Sequence, residues 1–83
     1  MTGGKSNIAL AFVFINAEVG SEDELLKQLR RIENVKEAYG VYGIYDIVAK
    51  LEAETMGKLR ELISSKARRL KAVRSTLTMI VIE

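Results

Sequence analysis

The sequence predicts an α+β domain made of two successive strand–helix–strand halves. Residues 8–17 are almost continuously apolar, two later segments carry apolar residues at helical spacing, and no linker separates the halves. A long apolar run of this kind is typical of a strand covered on both faces. With 83 residues, the chain has room for one domain, which we expect at residues 8–83 behind a flexible tail of residues 1–7.

The first helix is predicted to begin after Ser21. Ser21 and Glu24 have the spacing of a capping box, in which each side chain accepts a hydrogen bond from the other residue's backbone N–H. Leu25, Leu29 and Ile32 then follow at helical spacing, and they mark the face of the helix that packs on the core.

The middle of the chain predicts two strands joined by a glycine-containing hairpin turn. Residues 35–41 and 45–53 have strand-like composition on either side of this turn. In the second of these strands, the period of two places Tyr45 and Ile47 on one face and Asp46 on the other.

The second helix is predicted to begin at Thr55, whose hydroxyl can accept a hydrogen bond from a backbone N–H of the first turn. The last strand is predicted at residues 76–82. The resulting order, β-α-β-β-α-β, is that of the ferredoxin-like fold, a four-stranded antiparallel sheet with both helices on one face. The core face of the second helix is expected to comprise Met56, Leu59, Ile63, Ala67 and Leu70.

The first and last strands are apolar on both faces, although helices cover only one face of such a sheet. In the first strand, Phe12 and Phe14 lie on one side, and the residues that alternate with them are equally apolar. Uncovered sheet faces are normally polar, and a large exposed apolar face predicts an interface. We therefore expect a homodimer that packs sheet against sheet through Phe12, Phe14 and Ile80.

The composition excludes several kinds of site. The chain has no Cys and no His, so disulfides, thiolate metal ligands and the commonest general base are all missing. We predict no metal, no cofactor and no enzymatic activity. The longest apolar run, residues 8–15, is far shorter than the roughly 20 residues of a membrane-spanning helix, and no signal-peptide cleavage pattern follows the N-terminus. We expect a cytoplasmic protein.

The net charge of +2 hides an asymmetry along the chain. Residues 56–74 carry seven Lys and Arg against one Glu, whereas the remaining residues carry six against ten Asp and Glu. The cations at the end of the second helix suit either a nucleic-acid or acidic-partner surface, or a favourable interaction with the helix dipole. They are Lys66, Arg68, Arg69, Lys71 and Arg74.

Two segments carry polar groups suited to a small zwitterion such as an amino acid. The glycine-containing turn delivers Asp46 at the start of a strand, and Thr76 and Thr78 point to one side of an extended chain. A carboxylate, two hydroxyls and turn amides complement an ammonium and a carboxylate group. Ordinary roles stay open as well, namely turn capping for Asp46 and strand propensity for the threonines.

Five features of the chain occur in the order and register of one known family. The chain resembles, over residues 8–82, the effector-binding domain of the leucine-responsive regulator/AsnC (Lrp/AsnC) family, also called the regulation of amino acid metabolism domain. Full-length members carry an N-terminal helix-turn-helix DNA reader, and we expect the stand-alone version of the domain here. The matching features are the apolar first strand, Gly20, Val35-Lys36-Glu37-Ala38, Gly43-x-Tyr45-Asp46 with Ile47-Val48, and Val73-x-x-Thr76-x-Thr78 before Ile80-Val81.

The resemblance implies an assembly, a ligand and a function. Members of the family form dimers through their sheets, the dimers form rings that are often octamers, and amino acids bind where dimers meet. The chain would then be an amino-acid-binding and oligomerisation module that modulates Lrp/AsnC-type transcriptional regulation without binding DNA directly, with full-length regulators as candidate partners. Asp46 would hold the ammonium group of the ligand, and the turn amides its carboxylate. The implied ligand-binding residues are Val41, Tyr42, Gly43, Asp46, Thr76 and Thr78.

Two other functions stay open from the residues alone. The basic end of the second helix could bind RNA, in which case tight and salt-sensitive RNA binding is expected. The chain could also be a small enzyme of the dimeric α+β-barrel type, with Asp46 and tyrosines as its functional groups. Turnover of a substrate that is lost on Asp46→Asn would identify such an enzyme.

Overall fold

The computed structural model describes residues 8–82 and has the predicted order of elements. The tail of residues 1–7, which the sequence predicts to be flexible, lies outside the described residues, as does Glu83. The elements are β1 (Ala9–Ala17), α1 (Glu22–Arg30), β2 (Val35–Gly40), β3 (Ile47–Ala53), α2 (Met56–Leu62) with a π-helical turn (Ile63–Ala67), and β4 (Val73–Ile80).

The four strands form one antiparallel sheet in the order β2-β3-β1-β4. Val13 in the central strand β1 pairs with Ala49 of β3 on one side and Thr78 of β4 on the other. Alternate residues of β1 and β3 are buried together with the leucines of both helices, so both helices lie on the same face of the sheet. The ferredoxin-like fold predicted from the sequence is confirmed.

The starts of the two helices differ from each other. Thr55 is extended (φ −136°, ψ 160°), and its Oγ1 accepts a hydrogen bond from the Lys58 backbone N–H at 3.1 Å, which confirms the predicted cap. Ser21 precedes α1 but has φ −108° and ψ 7°, and its side chain makes no capping hydrogen bond. The predicted capping box with Glu24 is therefore wrong, because a cap hydroxyl reaches the first turn from extended backbone.

The second helix widens at its C-terminal end. The Arg68 backbone N–H donates to the Ile63 carbonyl at 2.9 Å, five residues back, as in a π-helix. Leu62 is buried together with Ile63, although the predicted core face omitted Leu62. Leu62 lies three residues after Leu59 in the regular part of the helix, so ordinary helical spacing agrees with its burial on the same face.

Two strands begin two or more residues away from their predicted starts, and β4 ends at Ile80 rather than at residue 82. β4 begins at Val73 rather than at residue 76, because a bulge lets Val73 pair with Ala17 while Ser75 pairs with Asn16. β3 begins at Ile47 rather than at residue 45. Tyr45 therefore precedes the strand, and the predicted alternation that placed it on the same face as Ile47 does not apply to it.

The sheet face opposite the helices, which we call the open face, is half apolar and half charged. In the apolar half, Phe12 pairs with Met79 and Phe14 with Leu77, and the tilted rings of Phe14 and Tyr45 lie 5.9 Å apart. Phe12, Leu77 and Met79 are 36%, 41% and 54% exposed. The charged half, on β2 and β3, contains an ion pair between Lys50 and Glu37 at 3.6 Å.

One residue predicted for the dimer interface lies elsewhere. Ile80 pairs with Ala11 and packs against the core on the helix side of the sheet. Leu77 and Met79, which alternate with Ile80 along β4, lie beside Phe12 and Phe14 on the open face instead. Within residues 8–82, neither helix is long and apolar enough to cross a membrane.

Candidate functional site

The loop between β2 and β3, residues 41–46, is closed at its base and exposed at its tip. The Val41 backbone N–H donates to the Asp46 carbonyl at 2.8 Å, directly after the last strand pair. Tyr42, Gly43 and Ile44 are exposed. In the described part of the chain, the backbone N–H groups of Tyr42 and Gly43 have no protein acceptor, so they are available to an anion.

Asp46 joins this loop to the end of β1. Its backbone N–H donates to the Ile15 carbonyl at 3.0 Å, and its Oδ2 accepts a hydrogen bond from the Ala17 backbone N–H at 2.9 Å. The second carboxylate oxygen, Oδ1, makes no hydrogen bond within residues 8–82. The half-buried carboxylate is thus held in place by one oxygen and can accept a donor on the other.

A cleft of about 310 Å³ lies beside Asp46, and we call it the Asp46–Arg74 cleft. Across its floor, the Asn16 Nδ2 donates to the Ser75 Oγ at 3.2 Å. Because Asn16 and Ser75 pair on the open side of the sheet, the cleft lies at one end of that side. Its lining residues are Asn16, Ala17, Asp46, Arg74 and Ser75.

The two threonines predicted for the ligand site lie on the other side of the sheet. Thr76 pairs with Ile15 and Thr78 with Val13, and both of these β1 residues are fully buried under the helices. The threonines are half-buried and do not line the Asp46–Arg74 cleft. β1 lies between β3, which Asp46 directly precedes, and β4, which carries Thr76. Because neighbouring strands are about 4.8 Å apart, Thr76 is about 10 Å from the line of β3.

The predicted ligand-binding residues therefore form two groups within one copy of the chain. The structure brings Val41, Tyr42, Gly43 and Asp46 together in and beside the loop, and it does not bring the threonines to them. Sequence reasoning missed the remaining lining residues of the cleft. Among them, Arg74 lines the cleft at the bulge in β4, which alternation along a strand does not reveal.

The cations at the end of the second helix do not all line one cleft. All of them are exposed, and in residues 8–82 none makes an ion pair. Arg74 lines the Asp46–Arg74 cleft, whereas Lys71 lines a different cleft with Glu18 and Glu24. Arg74 and Lys71 thus lie beside different groups, Arg74 beside Asp46 and Lys71 beside Glu18 and Glu24.

Tyr39 lies on the charged half of the open face, away from the Asp46–Arg74 cleft. Its hydroxyl donates to the Glu37 carboxylate at 3.0 Å. This hydrogen bond, followed by the negative charge of Glu37, raises the pKa of Tyr39 above its ordinary value of 10.0. The hydroxyl is therefore protonated at neutral pH and acts as a donor within the open face.

Comparison with known proteins agrees with the fold. The sequence pattern of the family described as "Lrp/AsnC ligand binding domain" matches residues 10–83. This match defines the class of the domain, which is the effector-binding domain of transcriptional regulators. The chain belongs to the Lrp/AsnC ligand-binding domain family.

Solved structures with the same fold support this membership. FFRP-DM1 is 38% identical, with a TM-score of 0.86 over 89% of this chain and 99% of that chain. Hypothetical protein PHS023 from Pyrococcus horikoshii is 37% identical, with a TM-score of 0.85 over 90% of both chains. AsnC from E. coli is 25% identical, with a TM-score of 0.84, and the match covers 90% of this chain and 51% of AsnC.

Two further relatives are informative in different ways. The feast or famine regulatory protein of M. tuberculosis, solved in complex with L-methionine, shares the fold with a TM-score of 0.75 at 24% identity. Homocitrate synthase from Saccharolobus islandicus is 40% identical over 57 residues. That match covers 69% of this chain but only 12% of the synthase, so the chain spans a small part of the curated relatives that it matches.

Proposed function

We propose that the protein is an amino-acid-binding and oligomerisation module that modulates Lrp/AsnC-type transcriptional regulation. The proposal rests on the hydrogen bonding of the Asp46 carboxylate. One of its oxygens accepts from the Ala17 N–H, and within residues 8–82 the other makes no hydrogen bond. A carboxylate fixed in this way accepts a charged hydrogen bond from an ammonium group without first having to be ordered.

The exposed loop supplies the complementary group. The N–H groups of Tyr42 and Gly43 lie close to Asp46 in the chain and have no acceptor in the described residues. An α-carboxylate binds such amides well, so the two ends of an amino acid match the two sides of the loop. The complex of L-methionine with the M. tuberculosis regulator supports an amino acid as the class of ligand.

The position of the threonines suggests where the ligand site is completed. Thr76 and Thr78 lie on the edge strand β4 and on the opposite side of the sheet from the Asp46–Arg74 cleft. They can contact the same small ligand only when they come from another copy of the chain. We therefore place the complete site where two dimers meet, with the loop from one copy and the threonines from its neighbour.

The apolar half of the open face supports assembly into dimers. Phe12, Leu77 and Met79 are partly exposed on adjacent strands, and covering them removes apolar surface from water. Such dimers would form rings, for example octamers. Because the contact surfaces would be common to both, full-length regulators would enter the same rings. Mixed assembly with such regulators in the cytoplasm is the route by which the module would act on transcription.

A catalytic role is not part of the proposal. The similarity to homocitrate synthase covers 12% of that enzyme, so it indicates a shared domain and does not transfer the enzyme's activity. Within residues 8–82, no group of His, Cys, Asp and Glu side chains is placed to hold a metal ion. We propose that Asp46 binds a ligand and does not turn it over.

The proposal is tested by a thermal-shift screen of the twenty amino acids, followed by calorimetry with the best ligand. Asp46→Asn keeps an oxygen that can accept from the Ala17 N–H but removes the negative charge. We expect it to weaken binding by roughly 10- to 150-fold, because a hydrogen bond to a charged group is lost.

The control is Glu33→Gln, which makes the same change of charge on an exposed residue outside the loop and the Asp46–Arg74 cleft. It should bind the ligand as the wild type does. Equal affinity of the wild type and Asp46→Asn, with the assembly intact, would show that the ammonium group is held elsewhere.

A further inference from the structure

The bulge in β4 gives Arg74 an unusual position. Adjacent residues of a regular strand point to opposite faces, so Arg74 and Ser75 would be separated by the sheet. At the bulge, Ser75 pairs with Asn16 and Val73 with Ala17, which leaves Arg74 without a partner in β1. A bulge re-aims the side chain of its extra residue, and here Arg74 lines the same cleft as Ser75.

The Asp46–Arg74 cleft thus holds one negative and one positive side chain that do not neutralise each other directly. Within residues 8–82, no ion pair shorter than 4.0 Å joins Arg74 to Asp46 or to any other carboxylate. The guanidinium donors of Arg74 also have no acceptor there, whereas Asn16 and Ser75 are hydrogen-bonded to each other. Arg74 is the side chain of the cleft whose strong donors remain available.

A guanidinium is suited to a carboxylate, because its donors match both oxygens of that group. In the proposed function, the ligand's ammonium group binds Asp46 and its α-carboxylate binds the amides of Tyr42 and Gly43. Arg74 then faces the remaining part of the ligand, its side chain. The cleft, at about 310 Å³, lies within the range of small-molecule sites, roughly 300–1,000 Å³.

We propose that Arg74 sets the specificity of the site and that the preferred ligand is an amino acid with a negatively charged side chain, L-aspartate or L-glutamate. This inference rests on the proposed function, since Asp46 must hold the ammonium group. A neutral side chain leaves the guanidinium without a partner, and a positive one is repelled by it. The preference comes from this pairing and not from the shape of the cleft.

The test is calorimetry with L-glutamate and L-glutamine, which have nearly the same shape and differ in the charge of the side chain. The wild type should bind L-glutamate at least about 10-fold more tightly than L-glutamine. Arg74→Gln should remove this preference by weakening L-glutamate binding while leaving L-glutamine nearly unchanged. Arg74→Lys keeps the charge but not the paired donors, so it should retain part of the preference.

Arg68→Gln is the matched control, because it removes the same charge from an exposed residue outside the cleft. It should keep the wild-type preference, which separates a specific contact from a general attraction of anions. Equal binding of the two ligands by the wild type, or an unchanged preference in Arg74→Gln, would overturn the inference.

The proposed function survives such a result if Asp46→Asn still weakens binding of whichever amino acid binds best. Failure of every amino acid to bind would overturn both. Circular dichroism and size-exclusion chromatography of each variant ensure that a loss of binding reflects the site and not a loss of fold.

Discussion

At the scale of single residues, polar side chains in this domain act by completing backbone hydrogen bonds. Asp46 accepts from the Ala17 N–H just past the last paired residues of β1 and β3, and Thr55 accepts from the Lys58 N–H at the start of α2. Sequence spacing identified Thr55 correctly and Ser21 incorrectly, because the backbone angles of a cap are not visible in a sequence. The turn-capping role left open for Asp46 is not observed within residues 8–82, because its side chain accepts from Ala17, 29 residues away, and its other oxygen makes no hydrogen bond there.

The two caps give a matched prediction at this scale. Thr55→Ala should lower the free energy of unfolding by about 1 kcal/mol, because the Lys58 N–H loses its acceptor. Ser21→Ala should change it by only a few tenths of a kcal/mol, since the Ser21 side chain makes no capping hydrogen bond. Urea denaturation at one fixed protein concentration measures both. An equal loss in the two variants would contradict this account of the caps.

At the scale of elements, alternation and helical spacing predicted the number, type and order of strands and helices. These patterns persist over many residues and reflect which face is buried, so local irregularities do not hide them. The parts that could not be predicted are single-residue irregularities. The bulge at Arg74 moved the start of β4, and the second helix ends in a π-helical turn.

The candidate site was predictable to the extent that it lies in one loop. Val41, Tyr42, Gly43 and Asp46 are near one another in the sequence, and the structure keeps them together. The position of Arg74 beside Asp46 depends on a bulge in β4. The separation of Thr76 from the loop depends on the register of β1 with β4. Neither property is contained in the composition or spacing of the strands themselves.

At the scale of the whole molecule, the open face accounts for the excess of apolar residues in a small domain. Of the residues in the chain, 48% are hydrophobic, and the helices cover only one side of the sheet. Small domains bury a limited fraction of their surface, so a second copy is an effective cover for the other side. In the proposed dimer, Phe12, Leu77 and Met79 would form the centre of the interface and would be protected from aggregation.

A charge placed on the open face should disrupt the proposed dimer. Leu77→Asp should shift the assembly to monomers of 9.3 kDa, because a carboxylate at the centre of the interface is costly to bury. Val19→Asp is the control, since Val19 is an apolar residue that is 89% exposed in the turn between β1 and α1. Light scattering at micromolar concentration should show the wild-type mass for this control. A monomeric wild type would refute the sheet-to-sheet dimer.

The central claim, that Asp46 holds the ammonium group of an amino acid, is tested most directly by a crystal structure with the best ligand from the screen. We predict the ligand nitrogen about 3 Å from the Asp46 Oδ1, the α-carboxylate on the amides of Tyr42 and Gly43, and Thr76 of a neighbouring copy against the same ligand. A ligand bound away from Asp46, with its ammonium group on other acceptors, would contradict the claim.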